Sequence, residues 1–194
     1  MGDSISSGAQ TTSQYFRNDQ VTDTFAGLIK QSLENTYGCK VDLSLVAQGG
    51  TDRYFAIQNL ESIIEKAPDV VIVEFGMNDH AVENSMNSEI IDSFENDMNG
   101  IVCRLKNEDI DVVIVGFFQQ NMDWSMENIN ATEKYNSILE KVAENNNVYF
   151  ADVKSLFNKV CTRKNLEEDV TVDYMHHPSD WGAYVVLFDN RASI

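Results

Sequence analysis

"PDVVIVEFGMND" (residues 68–79) passes from a proline through a nearly unbroken apolar, β-branched run to a glycine, and ends on Asn78 and Asp79. A strand with one wet face alternates apolar and polar residues. This one does not, so it reads as a strand buried on both faces, the kind found in parallel sheets. "DVVIVGFF" (111–118) repeats the pattern, "VYFADV" (148–153) is a shorter version, and "VDLSLV" (41–46) reads as a fourth short strand.

Helical spacing fills the intervals. Val21, Phe25, Leu28, Ile29 and Leu33 predict a helix that stops at Gly38. Phe55, Leu60, Ile63 and Ile64 predict a second, stopped before Pro68. Ile90, Ile91, Phe94, Met98, Ile101, Val102 and Leu105 give the most regular pattern, and Tyr135, Ile138, Leu139 and Val142 a fourth. A last helix is expected over about 179–188. Helices alternating with buried strands predict an α/β fold with a parallel sheet and helices on both faces, in a single domain over 1–194. Catalytic groups then belong at the carboxyl ends of the strands.

The formal net charge of −17 disfavours nucleic acid and anionic membrane surfaces as partners. No run of about 18 apolar residues is present to span a membrane. Cys39, Cys103 and Cys161 have neither metal-ligand spacing nor a disulfide pattern, and Cys103 reads as a small core residue.

Four short blocks carry chemistry: Gly2-Asp3-Ser4, "AQGGT" (47–51), "GMND" (76–79) and "DYMHHPSDWG" (173–182). Alone, each has an ordinary structural reading as a turn, a helix cap or a surface loop. Together they supply what a serine hydrolase requires. Ser4 is the nucleophile, a histidine of the last block is the base, and Asp173 orients it. The Ser4 N–H, a glycine N–H and the Asn78 amide are the oxyanion donors. A glycine is needed there because a side chain would block the approach of substrate. Adjacent His176 and His177 lack the companions of a metal site, so no metal is expected.

The set "GDSIS … GG … GMND … DYMHHP" resembles the SGNH hydrolases, or GDSL-type esterases and lipases, across nearly the whole chain. The resemblance implies a flavodoxin-like three-layer α/β/α sandwich and a cofactor-free enzyme. It implies Ser4 as nucleophile and Asn78 as oxyanion donor, with Gly50 favoured over Gly49 as the glycine donor. His177, directly before Pro178, is favoured as base, and His176, three residues after Asp173, is the alternative. The expected substrate is a small-molecule or carbohydrate ester with a short acyl chain, O-acetyl on carbohydrate first. The alternatives are a lysophospholipase or lipase, and a non-catalytic binding domain.

Phe117, Phe118, Gln119, Gln120, Asn121 and Trp124 follow the 111–118 run and either line the site or finish the strand. Arg53 and Tyr54 either meet substrate or open a solvated helix. In this architecture a buried first strand should lead into Gly2, yet only Met1 precedes it. That strand is therefore expected to be missing or truncated, the chain being a fragment or assigned too late a start. About five to ten added residues are expected to raise stability and activity.

Overall fold

The computed structural model describes residues 1–8, 24–119, 129–164, 171, 177–179 and 182. Three parallel strands form its sheet: β1 (Val70–Glu74), β2 (Asp111–Val115) and β3 (Tyr149–Ala151), in the order β1-β2-β3. Val70 pairs with Asp111, Glu74 with Val115, and Val113 with Tyr149. The described helices are α1 (Ser4–Ser7), α2 (Phe25–Tyr37), α3 (Arg53–Ile64), α4 (Met77–His80), α5 (Ser88–Lys106), α6 (Ile129–Asn146) and α7 (Val153–Lys164). The fold is α/β, as the alternation of patterns predicts. Among the described residues no helix is long and apolar enough to cross a membrane.

Three of the longer helices start where a side-chain cap accepts from an orphan N–H group. The Thr24 hydroxyl accepts from Gly27 N–H, Asp52 accepts from Tyr54 N–H, and Asn87 accepts from Glu89 N–H. Gly38 closes α2 in the left-handed conformation (φ 65°) and donates its N–H to Glu34 O. The heptad-like stripe of α5 buries Phe94, Met98, Ile101, Val102 and Leu105. These join Val71, Val73, Val112 and Ile114 from the strands and Ile138, Leu139 and Val142 from α6 in one core.

Three details differ from the sequence reading. Residues 41–46 are not a strand, because a strand needs a ladder of partners and among the described residues a single parallel bridge forms here: Gly2 donates to Val46 O and accepts from Gln48 N–H, bridging to Ala47. The expected 148–153 strand is shorter, and its last residue, Val153, opens α7 instead. Asp152 caps that helix, accepting from Ser155 N–H at 3.0 Å. Cys103 is only half-buried and bonds to Asn146 Oδ1 at 3.1 Å, so it serves a polar contact between α5 and α6. Of the expected 179–188 helix only Ser179 and Gly182 are described: Gly182 is helical and donates its N–H to Ser179 Oγ. Val21 lies outside the described residues.

Candidate active site

Met1 and Gly2 lie between β1 and the 41–47 segment. Met1 N donates to Ile72 O, Glu74 N–H donates to Met1 O, and Gly2 bridges both Ala47 and Glu74 in parallel. This stub aims the next residues at the carboxyl edge of the sheet. A side chain at position 2 is excluded, since a Cβ there would sit 2.0 Å from Ser6 Oγ and 2.6 Å from Glu74 Oε2. Asp3 caps α1 by accepting from Ile5 N–H at 2.8 Å. Ser4 is therefore the first residue of a short helix, the position whose N–H has no partner within its own helix.

His177 Nε2 lies 3.0 Å from Ser4 Oγ, and both residues are buried, at 8% and 7% exposure. The loop carrying His177 is pinned by an antiparallel bridge between Thr171 and Pro178. Asp173 and His176 lie outside the described residues, as do Gln120, Asn121 and Trp124.

The glycine pair divides its work. Gly49 faces the nucleophile: a Cβ added there would be 3.6 Å from Ser4 Cβ. Gly50 turns the chain in the left-handed region (φ 75°), and a Cβ there would meet only open space. Of the two, Gly49 is thus the one whose Cα faces Ser4, and Gly50 is the one that turns the chain beside it. Asn78 reaches the same place from the start of α4. Its Nδ2 donates to Asp3 Oδ2 at 3.0 Å and to Thr51 O at 2.8 Å, tying together the first three sequence blocks.

Two buried charges beneath these loops escaped the sequence reading. Arg53 is buried, at 6% exposure, and does not open a solvated helix. Its guanidinium bonds to Asp79 Oδ1 and to Asp97 Oδ2, each at 2.8 Å, and to Ser93 Oγ, and lies over the Tyr54 ring at 4.4 Å. Burial pushes the Asp79 carboxyl up, and the Arg53 hydrogen bonds pull it back down. The pair clamps the start of α3 to α4, the short helix bearing Asn78. Replacing Arg53 with alanine leaves Asp79 buried and unpaired, and is expected to cost about 3 kcal/mol or more. Urea denaturation checks this; a loss under about 1 kcal/mol contradicts a buried clamp and matches an exposed ion pair.

Glu74, at the end of β1, accepts from Ser6 Oγ at 2.8 Å and from Asp3 N–H at 3.3 Å, and its Oε1 is buried without a partner. Burial raises its carboxyl well above the usual glutamate range, and the nearby Asp3 charge adds to this. Burial likewise pushes Asp3 up to about 6, against the Ile5 N–H bond that lowers it. A carboxyl raised in the folded state favours folding below its unfolded pKa and loses that contribution as pH rises through the folded one. Gln is neutral at every pH and keeps an acceptor for Ser6 and Asp3. Glu74→Gln is thus expected to be more stable than the parent at pH 8, with the gain vanishing as pH falls below the ordinary glutamate value of 4.5. Thermal melts across that range test this; a variant less stable at pH 8 than at pH 4, relative to the parent, contradicts it.

Phe117 and Phe118 belong to the core, each at 1% exposure. Phe117 packs against the His80 ring at 4.9 Å, and Phe118 stacks on Phe157 at 4.1 Å. Asn136 from α6 holds the backbone beyond β2: it accepts from Phe117 N–H and donates to Phe117 O, as a neighbouring strand would. Sequence reasoning missed this amide, because nothing in its spacing separates it from a surface asparagine.

The sequence profile of the GDSL-like Lipase/Acylhydrolase family matches residues 1–184. The chain belongs to the GDSL-like lipase/acylhydrolase family. It is a serine ester hydrolase, with the α/β fold of the SGNH esterases. Among solved structures it is similar to an acetylxylan esterase from Geobacillus stearothermophilus. There the identity is 18% and the TM-score 0.78, with 98% of this chain and 90% of that one covered. A mutant described as an acetyl-xylooligosaccharide esterase from the same source gives the same figures, 18%, 0.78, 98% and 90%. An α/β hydrolase from the metagenome of Lake Arreo, Spain, matches at 15% identity and a TM-score of 0.78, over 98% of this chain and 91% of that one. No curated protein matches the chain.

Proposed function

We propose that this esterase removes short acyl groups, acetyl on carbohydrate above all, through a Ser4 acyl-enzyme with His177 as base and Asp173 as the carboxylate that orients it. The observation carrying this reading is the 3.0 Å approach of His177 Nε2 to Ser4 Oγ in a buried pair. That distance suits proton transfer as the hydroxyl attacks.

Ser4 Oγ attacks the ester carbonyl carbon while His177 Nε2 takes its proton. The tetrahedral oxyanion is held by the N–H of Ser4, by the N–H of Gly50 and by the Asn78 amide. Both amide hydrogens of Asn78 are engaged at rest, with Asp3 and with Thr51. Donation to the oxyanion therefore shares or replaces one of these bonds, and Asp3 helps fix the amide's position before substrate arrives. The imidazolium then gives its proton to the leaving alcohol. A water, deprotonated by His177, attacks the acyl-enzyme carbonyl, and Ser4 recovers its proton when the acid departs.

The acetyl and carbohydrate assignment is supported by the fold shared with acetylxylan esterases and by the chain's strong negative charge, which disfavours anionic lipid surfaces. Aryl acetate is expected to be hydrolysed faster than aryl octanoate by kcat/KM, and acetylated xylo-oligosaccharide to release acetate. A strong preference for the long acyl chain, with no acetate released from the sugar, contradicts the acetyl assignment and favours the lipase reading.

A further inference from the structure

A buried acid beside the oxyanion donors takes no part in the acyl transfer steps. Glu74 ends β1 against Asp3, and its two oxygens are used unequally. Oε2 accepts from Ser6 Oγ at 2.8 Å and from Asp3 N–H at 3.3 Å. Oε1 is buried and has no partner as an acceptor. An ionised carboxylate would leave charge on that oxygen with nothing to solvate it, whereas a proton on Oε1 turns it into a donor.

Asp3 is the acceptor such a donor needs. Burial and the Asp3 charge raise the Glu74 carboxyl, and a hydrogen bond to the Asp3 side chain raises it further. Asp3, which burial lifts to about 6, is drawn down by the same bond. Two carboxyls in contact away from water do not both ionise, so the pair holds one proton, on Glu74, and one charge, on Asp3. Asp3 directs that charge at two donors. Oδ1 accepts from Ile5 N–H at 2.8 Å and Oδ2 from Asn78 Nδ2 at 3.0 Å. Hydrogen bonds thus run from the end of β1, through Asp3, to the amide at the start of α4.

We propose that Glu74 is a positioning residue of the oxyanion site: as the neutral acid it donates to Asp3, holds Asp3 in place as a carboxylate, and through it sets the Asn78 amide. The proposal rests on Asn78 acting as an oxyanion donor. Ionising Glu74 deprives Asp3 of its donor and sets a second negative charge against it, so Asp3 shifts and Asn78 loses its alignment. The other charged or titratable groups facing the pair are the Met1 ammonium, which burial lowers to about 6, His177, and Asp79, which Arg53 pairs. Glu74→Gln removes one titrating group and leaves all of these in place.

The test is kcat for an aryl acetate from about pH 7 to about pH 10 in the parent, Glu74→Gln and Asn78→Ala. In the parent kcat is expected to fall by about tenfold or more at the alkaline end with KM little changed, the mark of an interaction made in the transition state. Glu74→Gln, whose amide can donate to Asp3 at every pH, is expected to hold its own neutral-pH kcat across the range. Asn78→Ala is expected to lose about 10²–10³ in kcat. With no amide left to position, its residual rate should show no alkaline fall. A flat parent profile overturns the proposal, and so does an alkaline fall that persists undiminished in Asn78→Ala. An equal fall in parent and Glu74→Gln, beside an impaired Asn78→Ala, overturns the role of Glu74 alone and leaves the oxyanion donor standing. A fully active Asn78→Ala removes the donor and the proposal with it.

Discussion

Alanine at position 4 is expected to lower turnover of an aryl acetate by about 10⁴-fold or more, with the melting temperature close to the parent's. The Ser4 hydroxyl faces His177, while the helix start is capped by Asp3 and the turn is shaped by Gly2. Removing one oxygen thus deletes the nucleophile and leaves its supports. The residual rate belongs to the oxyanion donors and to binding, which survive the change. Loss of activity together with a collapse of Tm would show only that the residue is structural. Retention of activity within about tenfold would remove Ser4 from the chemistry.

The second large effect concerns the two adjacent histidines. His177→Ala is expected to cost nearly as much as Ser4→Ala, because nucleophile and base act as a unit and their losses do not add. The double variant should be little worse than either single one. His176→Ala is expected to stay within a few fold of the parent. The contrast follows from His177 Nε2 lying 3.0 Å from Ser4 Oγ. The pairing with Pro178 matters here: the bridge between Thr171 and Pro178 fixes the residue immediately before the proline. Steady-state kinetics of the three variants decides the matter. An inactive His176→Ala beside an active His177→Ala would reassign the base.

What the sequence makes legible follows from which forces act locally. Val70–Glu74 and Asp111–Val115 are readable as strands from their unbroken β-branched runs, although burial alternates along them: Val70 and Asp111 stay exposed and Ile72 and Val113 are half-buried, so the expected burial on both faces is incomplete. The 41–46 segment also carries four apolar residues, yet strand formation depends on a neighbour in space, which composition does not report. Helix α7 shows the helical spacing Val153, Leu156, Phe157, Val160 and Cys161. It was hidden because Val153 also completes the apolar run before it; the capping Asp152 is the signal that separates the two.

Site residues divide the same way. Ser4 and Asn78 sit in short motifs whose order along the chain carries information. Arg53 and Glu74 do not, because charged side chains belong on the surface by default and their burial is created by partners far away in sequence. Asp79 and Asp97 lie 26 and 44 residues from Arg53. Gly49 and Gly50 are indistinguishable by type; only the folded turn sets one of them against Ser4.

The reading of Ser4 as a nucleophile activated by a buried histidine is tested most directly by intact-protein mass spectrometry after exposure to a fluorophosphonate, followed by peptide mapping. A single phosphonyl adduct on Ser4 is predicted, formed rapidly in the parent, far more slowly in His177→Ala and not at all in Ser4→Ala. An unlabelled parent, or an adduct on another residue that persists in Ser4→Ala, would contradict it.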